Sequence, residues 1–216
     1  MKELLTCVGI ADTHGMYADL EIPYADVFIH AGDITRNGTL PEIKDFNNWL
    51  GRLPHKYKVI IGGNHDKAFE QKNRKSRALI TNAIYLQDEF TIIEGVKFYG
   101  SPWQPAFYNW SFNLCRGAEL KAKWDLIPDD TDVLITHGPA LNFLDRVDEG
   151  MNVGCRDLLE AIWRVKPKVH ICGHIHEGYG EVPVDEFGVH FINCSTCTSR
   201  YKPINPPILF SVFMGK

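Results

Sequence analysis

Apolar residues in this chain gather into short runs, and each run ends at a polar cluster. Residues 4–10, 27–31, 59–61, 133–135 and 169–172 are brief, rich in Val and Ile, and predict buried strands. Further strands are predicted over 91–93, 96–99, 190–193 and 208–212. A helical period replaces the strand pattern three times. Thr39-Leu40-Pro41-Glu42 opens a helix whose apolar face is Ile43, Phe46 and Leu50, with Pro41 in the first turn and Gly51 near the end. A second helix is predicted over 117–127 through Leu120 and Trp124, stopped by Pro128. A third is predicted over 155–165 through Leu158, Leu159, Ile162 and Trp163, stopped by Pro167. Strands alternating with helices, plus hairpin-like extra strands, predict an α/β fold of two mixed sheets packed between helices.

Length and composition narrow this reading. The 216 residues, 44% hydrophobic and 23% charged, predict one ordered domain spanning residues 1–216, with no internal repeat or long linker. No apolar run approaches the ~20 residues that cross a bilayer, and the N-terminus carries no basic stretch followed by an apolar core, so a cytoplasmic location without membrane contact is expected. A net charge of −4 argues against a duplex nucleic-acid partner. Cys7, Cys115, Cys155, Cys172, Cys194 and Cys197 are dispersed and read as reduced, partly buried thiols. Cys194-Ser195-Thr196-Cys197 has the spacing of a redox pair but lacks a helix-opening context.

The polar clusters hold the candidate chemistry. Asp12-Thr13-His14, Gly32-Asp33, Gly63-Asn64-His65-Asp66, Thr136-His137-Gly138 and Gly173-His174-Ile175-His176 each follow a predicted strand, so five strands deliver donors to one sheet edge. Five of the nine histidines fall in these clusters, which scattered core or surface histidines would not do. Imidazole and carboxylate together suit divalent transition metals, and the set is larger than one ion takes. Asp12 and His14, two apart, point the same way in an extended or turning segment, and His174 and His176 repeat the device. Glycines 32, 63, 138 and 173 read as places where positive φ turns the chain close to the ions. His30 and His170 read as buried, hydrogen-bonded structural histidines, and His55 and His190 as loop or strand-surface residues.

These blocks, in this order, resemble the calcineurin-like metallophosphoesterases, whose pattern is Asp-x-His, Gly-Asp, Gly-Asn-His-Asp/Glu, a lone His after a strand, and Gly-His-x-His. His30-Ala31-Gly32-Asp33, Phe46-Asn47-Asn48-Trp49-Leu50-Gly51, Thr136-His137-Gly138-Pro139, Gly173-His174-Ile175-His176-Glu177-Gly178-Tyr179-Gly180 and Asn205-Pro206-Pro207-Ile208 are similar to the small members grouped with class III cyclic-nucleotide phosphodiesterases. The similarity runs through nearly the whole chain. It implies a four-layer α/β/β/α sandwich of two mixed β-sheets flanked by helices. It also implies two divalent transition-metal ions, manganese foremost, with iron, zinc, cobalt or magnesium as alternatives. By matching position, Asp12, His14, Asp33 and His176 would hold one ion and Asp33, Asn64, His137 and His174 the other, Asp33 bridging a separation of about 3.5–4 Å.

The implied activity is hydrolysis of a small phosphodiester or nucleotide, cyclic nucleotides among the candidates, by hydroxide attack on phosphorus. His65, beside Asn64, reads as the general acid, with Asp66 holding its tautomer; metal ligation is the alternative for His65. The aromatic segment Trp103, Phe107, Tyr108, Trp110 and Phe112, followed by Asn113 and Arg116, has two readings. Trp103, Trp110, Asn113 and Arg116 bind substrate by stacking on a base and pairing with phosphate, or the loop is packed by its own rings. Glu177, Tyr179 and Tyr201 are candidate rim residues. Two other functions stay open: a phosphomonoesterase or protein phosphatase, and a protein-binding scaffold without chemistry. The complete ligand set disfavours the scaffold, and the scarcity of arginines near the motifs, Arg36 and Arg116 alone, disfavours a site for a phosphate dianion.

Overall fold

Alternation along the inner strands sorts side chains to the two faces of each sheet, and the fold follows from where those faces are covered. The computed structural model describes residues 3–184 and 186–214. The first sheet has the order β13-β1-β2-β3-β4, formed by β1 (Leu4–Ile10), β2 (Val27–Ala31), β3 (Tyr57–Ile61), β4 (Ile84–Tyr85) and β13 (Ile208–Phe213). The second, ordered β11-β12-β10-β9-β6-β5, holds β5 (Glu89–Ile93), β6 (Val96–Ser101), β9 (Val133–Thr136), β10 (Val169–Cys172), β11 (Gly180–Val182) and β12 (His190–Asn193). Both are mixed. Their central strands run parallel, and β13, β5 and β11 pair antiparallel at the edges. A short parallel pair, β7 (Gln104–Pro105) and β8 (Asn113–Leu114), closes the base of the aromatic loop.

Three buried apolar layers result. Val27, Ile29, Val59 and Ile61 of the first sheet meet Phe98, Val133, Ile135 and Ile171 of the second. Phe28 and Ile60, on the other face of the first sheet, pack under Ile43, Phe46 and Leu50 of α1 (Leu40–Leu50) and Phe69 of α2 (Lys67–Gln71). Leu134 and Phe191, on the outer face of the second, pack under Leu120 and Trp124 of α4 (Ala118–Trp124) and Leu158 and Ile162 of α5 (Arg156–Val165). The order helix, sheet, sheet, helix is the four-layer sandwich. The two sheets also touch through main chain. Ala11 donates to the carbonyl of Cys194 at 2.9 Å and accepts from Thr196 at 2.8 Å, just beyond β1 and β12. A Cβ on Gly9 would lie 2.3 Å from Ile171 Cδ1, so glycine permits this approach.

The expected elements form, with differences at their ends. α1 begins at a capping box in which Thr39 and Glu42 satisfy each other's main-chain amides. α4 is shorter than predicted, because residues 125–127 continue with the tighter bonds Leu126 N to Lys123 O and Ile127 N to Trp124 O. Trp163, expected on the apolar face of α5, is 43% exposed. Helices α2 and α3 (Asn73–Leu79) form in a stretch too polar to show an apolar period. His30 and His170 are buried as expected. His55 is not a surface residue: it is buried, its Nε2 bonded to the Pro23 carbonyl at 3.0 Å and its ring against Phe28. All six cysteines are free thiols, and only Cys115 is exposed. Among the described residues no helix is long and apolar enough to cross a membrane.

Candidate metal centre

The donors stand where the strands of both sheets end, on a strained backbone. Asp12, His14, Asp33 and His174 all have positive φ, at 52°, 45°, 55° and 69°, a conformation that Asp and His tolerate better than most residues. Hydrogen bonds hold these turns: Asp12 N to Gly32 O, His14 N to Asp33 O, and His174 N to Asp12 Oδ2. The sequence placed this conformation on the glycines, and of the four only Gly32 has it, at 97°. Gly63 and Gly173 are required for space instead. A Cβ on Gly63 would lie 2.3 Å from Asp33 N, and one on Gly173 would lie 2.3 Å from Asp12 Oδ2. A Cβ on Gly138 would make ordinary contacts.

Three overlapping groups of ligand atoms each lie within 4.8 Å: Asp12, His14 and His176; Asp12, Asp33 and His137; and His14, Asp33 and His65. His14 Nε2 is 3.3 Å from His176 Nε2, and His176 Nε2 is 3.8 Å from Asp12 Oδ1. His137 Nε2 is 2.8 Å from Asn64 Oδ1 and 3.4 Å from Asp33 Oδ1. The His174 ring sits beside that of His137, with centroids 5.0 Å apart. The structure therefore brings together all seven residues expected as ligands, and adds His65 to the donor set.

The chemistry of this set fits divalent cations. His137 Nδ1 faces the Ala31 carbonyl and His176 Nδ1 the Thr198 carbonyl, each at 3.0 Å, so in the neutral rings the proton sits on Nδ1 and the Nε2 lone pair turns inward. Asp12 Oδ2 accepts from His174 N and from Ser195 Oγ, while its buried Oδ1 has no hydrogen-bond partner. Lone pairs thus converge where a cation is needed to satisfy them. The electrostatics agree. Burial opposes charge on His137 and His176, yet Asp33 beside the first and Asp12 beside the second hold their pKa values up at about 9. Both aspartates are held below the usual carboxylate range despite burial, by His176 at Asp12 and His137 at Asp33. Burial pulls His14 down to about 4 and His174 to about 3.

The contacts of several residues differ from their expected roles. Asp66 does not hold His65. Its carboxylate accepts from the amides of Ile34, Thr35 and Gly63 and from the Thr35 hydroxyl, joining the loops after β2 and β3. Burial and the charge on Asp33 push its pKa up to about 7. His65 instead bonds through Nδ1 to the Arg36 carbonyl at 3.0 Å, which leaves Nε2 facing the site 3.9 Å from Asp33 Oδ2. Trp103 is held away from the cleft, its Nε1 donating to Asp88 and its ring under Lys123 Nζ. Asn113 ties the aromatic loop to itself through the Phe107 and Tyr108 carbonyls. Arg116 lines the cleft, but its guanidinium donates to the carbonyls of Val153 and Gly154 at 2.7 Å. Trp110 does reach the site, packing edge-on to the His65 ring at 4.0 Å. Tyr201 covers His14 and His176 from the rim, Glu177 is also on the rim, and Tyr179 is bonded to the Pro206 carbonyl.

Sequence reasoning missed Ser195 and Asn193. The single Ser195 hydroxyl proton is shared between Asp12 Oδ2 at 2.6 Å and Asn193 Oδ1 at 2.7 Å, and Asn193 Nδ2 donates to the carbonyls of Leu144 and Ile175. The signal was present, since Asn193 ends the run 190–193 and Ser195 lies just beyond it, as the other clusters follow theirs. Above the donors opens a cleft of about 660 Å³, walled by Phe107, Tyr108, Trp110, Val147, Met151 and Val153.

Sheet order, donor set and cleft are those of a metal-dependent phosphoesterase, and residues 5–178 match the family described as Calcineurin-like phosphoesterase. The chain belongs to that family. Over 230 residues it is 44% identical to Metallophosphoesterase domain-containing protein 1 of Homo sapiens, an alignment covering 95% of this chain and 70% of that protein. It is 24% identical to the Probable glycerophosphodiester phosphodiesterase GpdQ of Arcobacter nitrofigilis over 169 residues, 71% of this chain and 58% of that protein. The fold is shared with TT1561 of Thermus thermophilus, at a TM-score of 0.59 and 15% identity, covering 88% of this chain and 89% of that one.

Proposed function

We propose that this chain is a dinuclear phosphodiesterase that cleaves a singly charged diester bearing an organic arm, nucleotide diesters among them. The observation that carries the reading is the convergence of inward-facing donors from both sheets at the floor of one apolar-walled cleft. Asp12, His14, Asp33 and His176 would hold one ion, and Asn64, His137 and His174 the other, with Asp33 available to both. When bound, such a pair supplies Lewis-acid charge to the phosphoryl group and acidifies water. The chain's own residues do the rest. His65 holds its ring by the Arg36 carbonyl and the edge of Trp110, so an imidazolium there presents its Nε2 proton to the leaving oxygen. Asp12 keeps one oxygen free because Ser195 and the His174 amide take the other.

The cleft wall supports a diester over a monoester. Arg116, the lining guanidinium, is already bound to two carbonyls, and the rim carries Glu149 and Glu177. A dianionic monoester gains little from these groups, whereas an organic arm meets Phe107, Tyr108 and Met151. With both ions loaded, kcat/KM is expected to be higher for nucleotide-type and aryl diesters than for the matching monoesters. Asp33→Asn should weaken both ions and abolish turnover. His65→Asn should keep both ions and lose on the order of 10²–10⁴-fold with an alkoxide leaving group, and far less with a nitrophenolate. Higher kcat/KM for monoesters would replace this reading with a phosphatase.

A further inference from the structure

Two buried histidines stand in matching places in the two sheets, outside the donor set. His30 lies on β2, beside β1, and His170 lies on β10, beside β9. Each ring nitrogen Nε2 meets a threonine hydroxyl: His30 with Thr13 at 3.0 Å, and His170 with Thr136 at 2.8 Å. Thr13 separates the donors Asp12 and His14, and Thr136 immediately precedes His137. Both hydroxyls also give their proton to a carbonyl, Thr13 to Ile34 at 3.3 Å and Thr136 to Gly138 at 2.7 Å. A hydroxyl has one proton, so each threonine oxygen accepts from its histidine and Nε2 carries the hydrogen. Ile34 follows Asp33 in sequence, and Gly138 follows His137. The first chain therefore ties the Asp12-His14 turn to the Asp33 loop, and the second pins the turn that carries His137.

An apolar residue would serve the core better at either position. The strands read VFIHA and VHIC, and burying an imidazole there costs free energy that its hydrogen bonds only partly return. His30 Nδ1 is buried with no hydrogen-bond partner, so that cost persists. We propose that His30 and His170 are positioning residues, a matched pair of braces that fix, through Thr13 and Thr136, the turns presenting one ion's ligands from the first sheet and the other's from the second.

This inference rests on the two-ion reading, and titration of the unaltered protein with Mn(II) tests that reading first: a single bound ion overturns it before any variant is made. Given two ions, His170→Leu is expected to weaken the ion assigned to Asn64, His137 and His174 on the order of 10–100-fold while leaving the other within about threefold. His30→Leu should weaken the ion assigned to Asp12, His14 and His176 by a similar factor and the other by less, because its chain also reaches the loop of the shared Asp33. Glutamine keeps an N–H donor, so His170→Gln and His30→Gln should recover most of the lost affinity, which a role in packing alone would not produce. Should a leucine variant fail to fold, Thr136→Val and Thr13→Val break the same links from the other end and are read the same way. Wild-type affinity for both ions in folded leucine or valine variants, or equal loss with leucine and glutamine, would overturn the proposal.

Discussion

Four donors reach the two oxygens of Asp66, and none of them belongs to His65, the residue next to it in sequence. Residue type and neighbourhood were legible in the chain: Asp12, His14, Asp33, Asn64, His137, His174 and His176 do converge. The direction of a side chain was not, because that depends on which loop lies across from it. Asp66 turns toward the loop after β2, and Arg116 turns toward carbonyls nearly forty residues on. His170 gives this scale a measurable consequence. Burial pulls its pKa from 6.5 down to about 3, so the ring stays neutral in the folded protein. Above pH 6.5 both folded and unfolded rings are neutral and nothing is lost. As pH falls from 6.5 toward 3, the unfolded chain binds a proton that the folded chain refuses, and stability drops by up to about 1.4 kcal/mol per pH unit from this group. In metal-free protein, His170→Leu should therefore lose less stability than wild type between pH 6 and 4.5, by roughly 1–2 kcal/mol in urea titrations. Parallel pH profiles would show that His170 takes up a proton in the folded state.

Elements were legible where one physical signal dominated. The runs 4–10, 27–31 and 169–172 form strands with those bounds, since buried parallel strands need unbroken apolar stretches and polar residues end them at once. The pair β7 and β8 and the helices α2 and α3 had no such signal, being set by tertiary contacts such as Ser76 Oγ to the Ala68 carbonyl. The start of α1 was marked by Thr39 and Glu42, and the structure gives Glu42 more to do than cap a helix. Glu42 Oε2 accepts from Thr39, while Oε1 accepts from the amides of Arg36 and Asn37, the loop whose carbonyl at Arg36 orients His65. Thr39→Ala should cost about 1 kcal/mol, the usual loss of an N-cap. Glu42→Ala should cost more, because it frees the 36–37 loop as well as the helix end, and it should lower turnover where Thr39→Ala does not. Chemical denaturation and steady-state rates on the two variants check this, and equal effects would confine Glu42 to the cap.

At the scale of the molecule the donor set is divided between sheets: Asp12, His14, Asp33 and Asn64 follow strands of the first, and His137, His174 and His176 follow strands of the second. A direct main-chain link between the sheets near this edge is the Ala11 bridge to the segment after β12. Ions held by both sides would add to that bridge and to the bonds His174 N to Asp12 Oδ2 and His137 Nδ1 to the Ala31 carbonyl, and the unfolded chain cannot form such a tie. Ligand that binds only the folded state stabilises it by RT ln(1 + [L]/Kd), about 2.7 kcal/mol at a hundredfold excess over Kd. That figure is for one site, so two ions contribute about 5.5 kcal/mol; each kcal/mol moves Tm by about 2–4 °C for a domain of this size, and loading both sites with Mn(II) at that excess should raise Tm by about 10–20 °C over chelator-treated protein. Asp33→Asn should erase most of that rise, since Asp33 belongs to both ions. His65→Asn should leave it intact, because the assigned task of His65 is proton delivery. Calorimetry of the three proteins with and without metal checks both statements. Loss of the shift in His65→Asn would make His65 a ligand, a role its place beside His14 and Asp33 also permits, and would move the general acid elsewhere in the cleft.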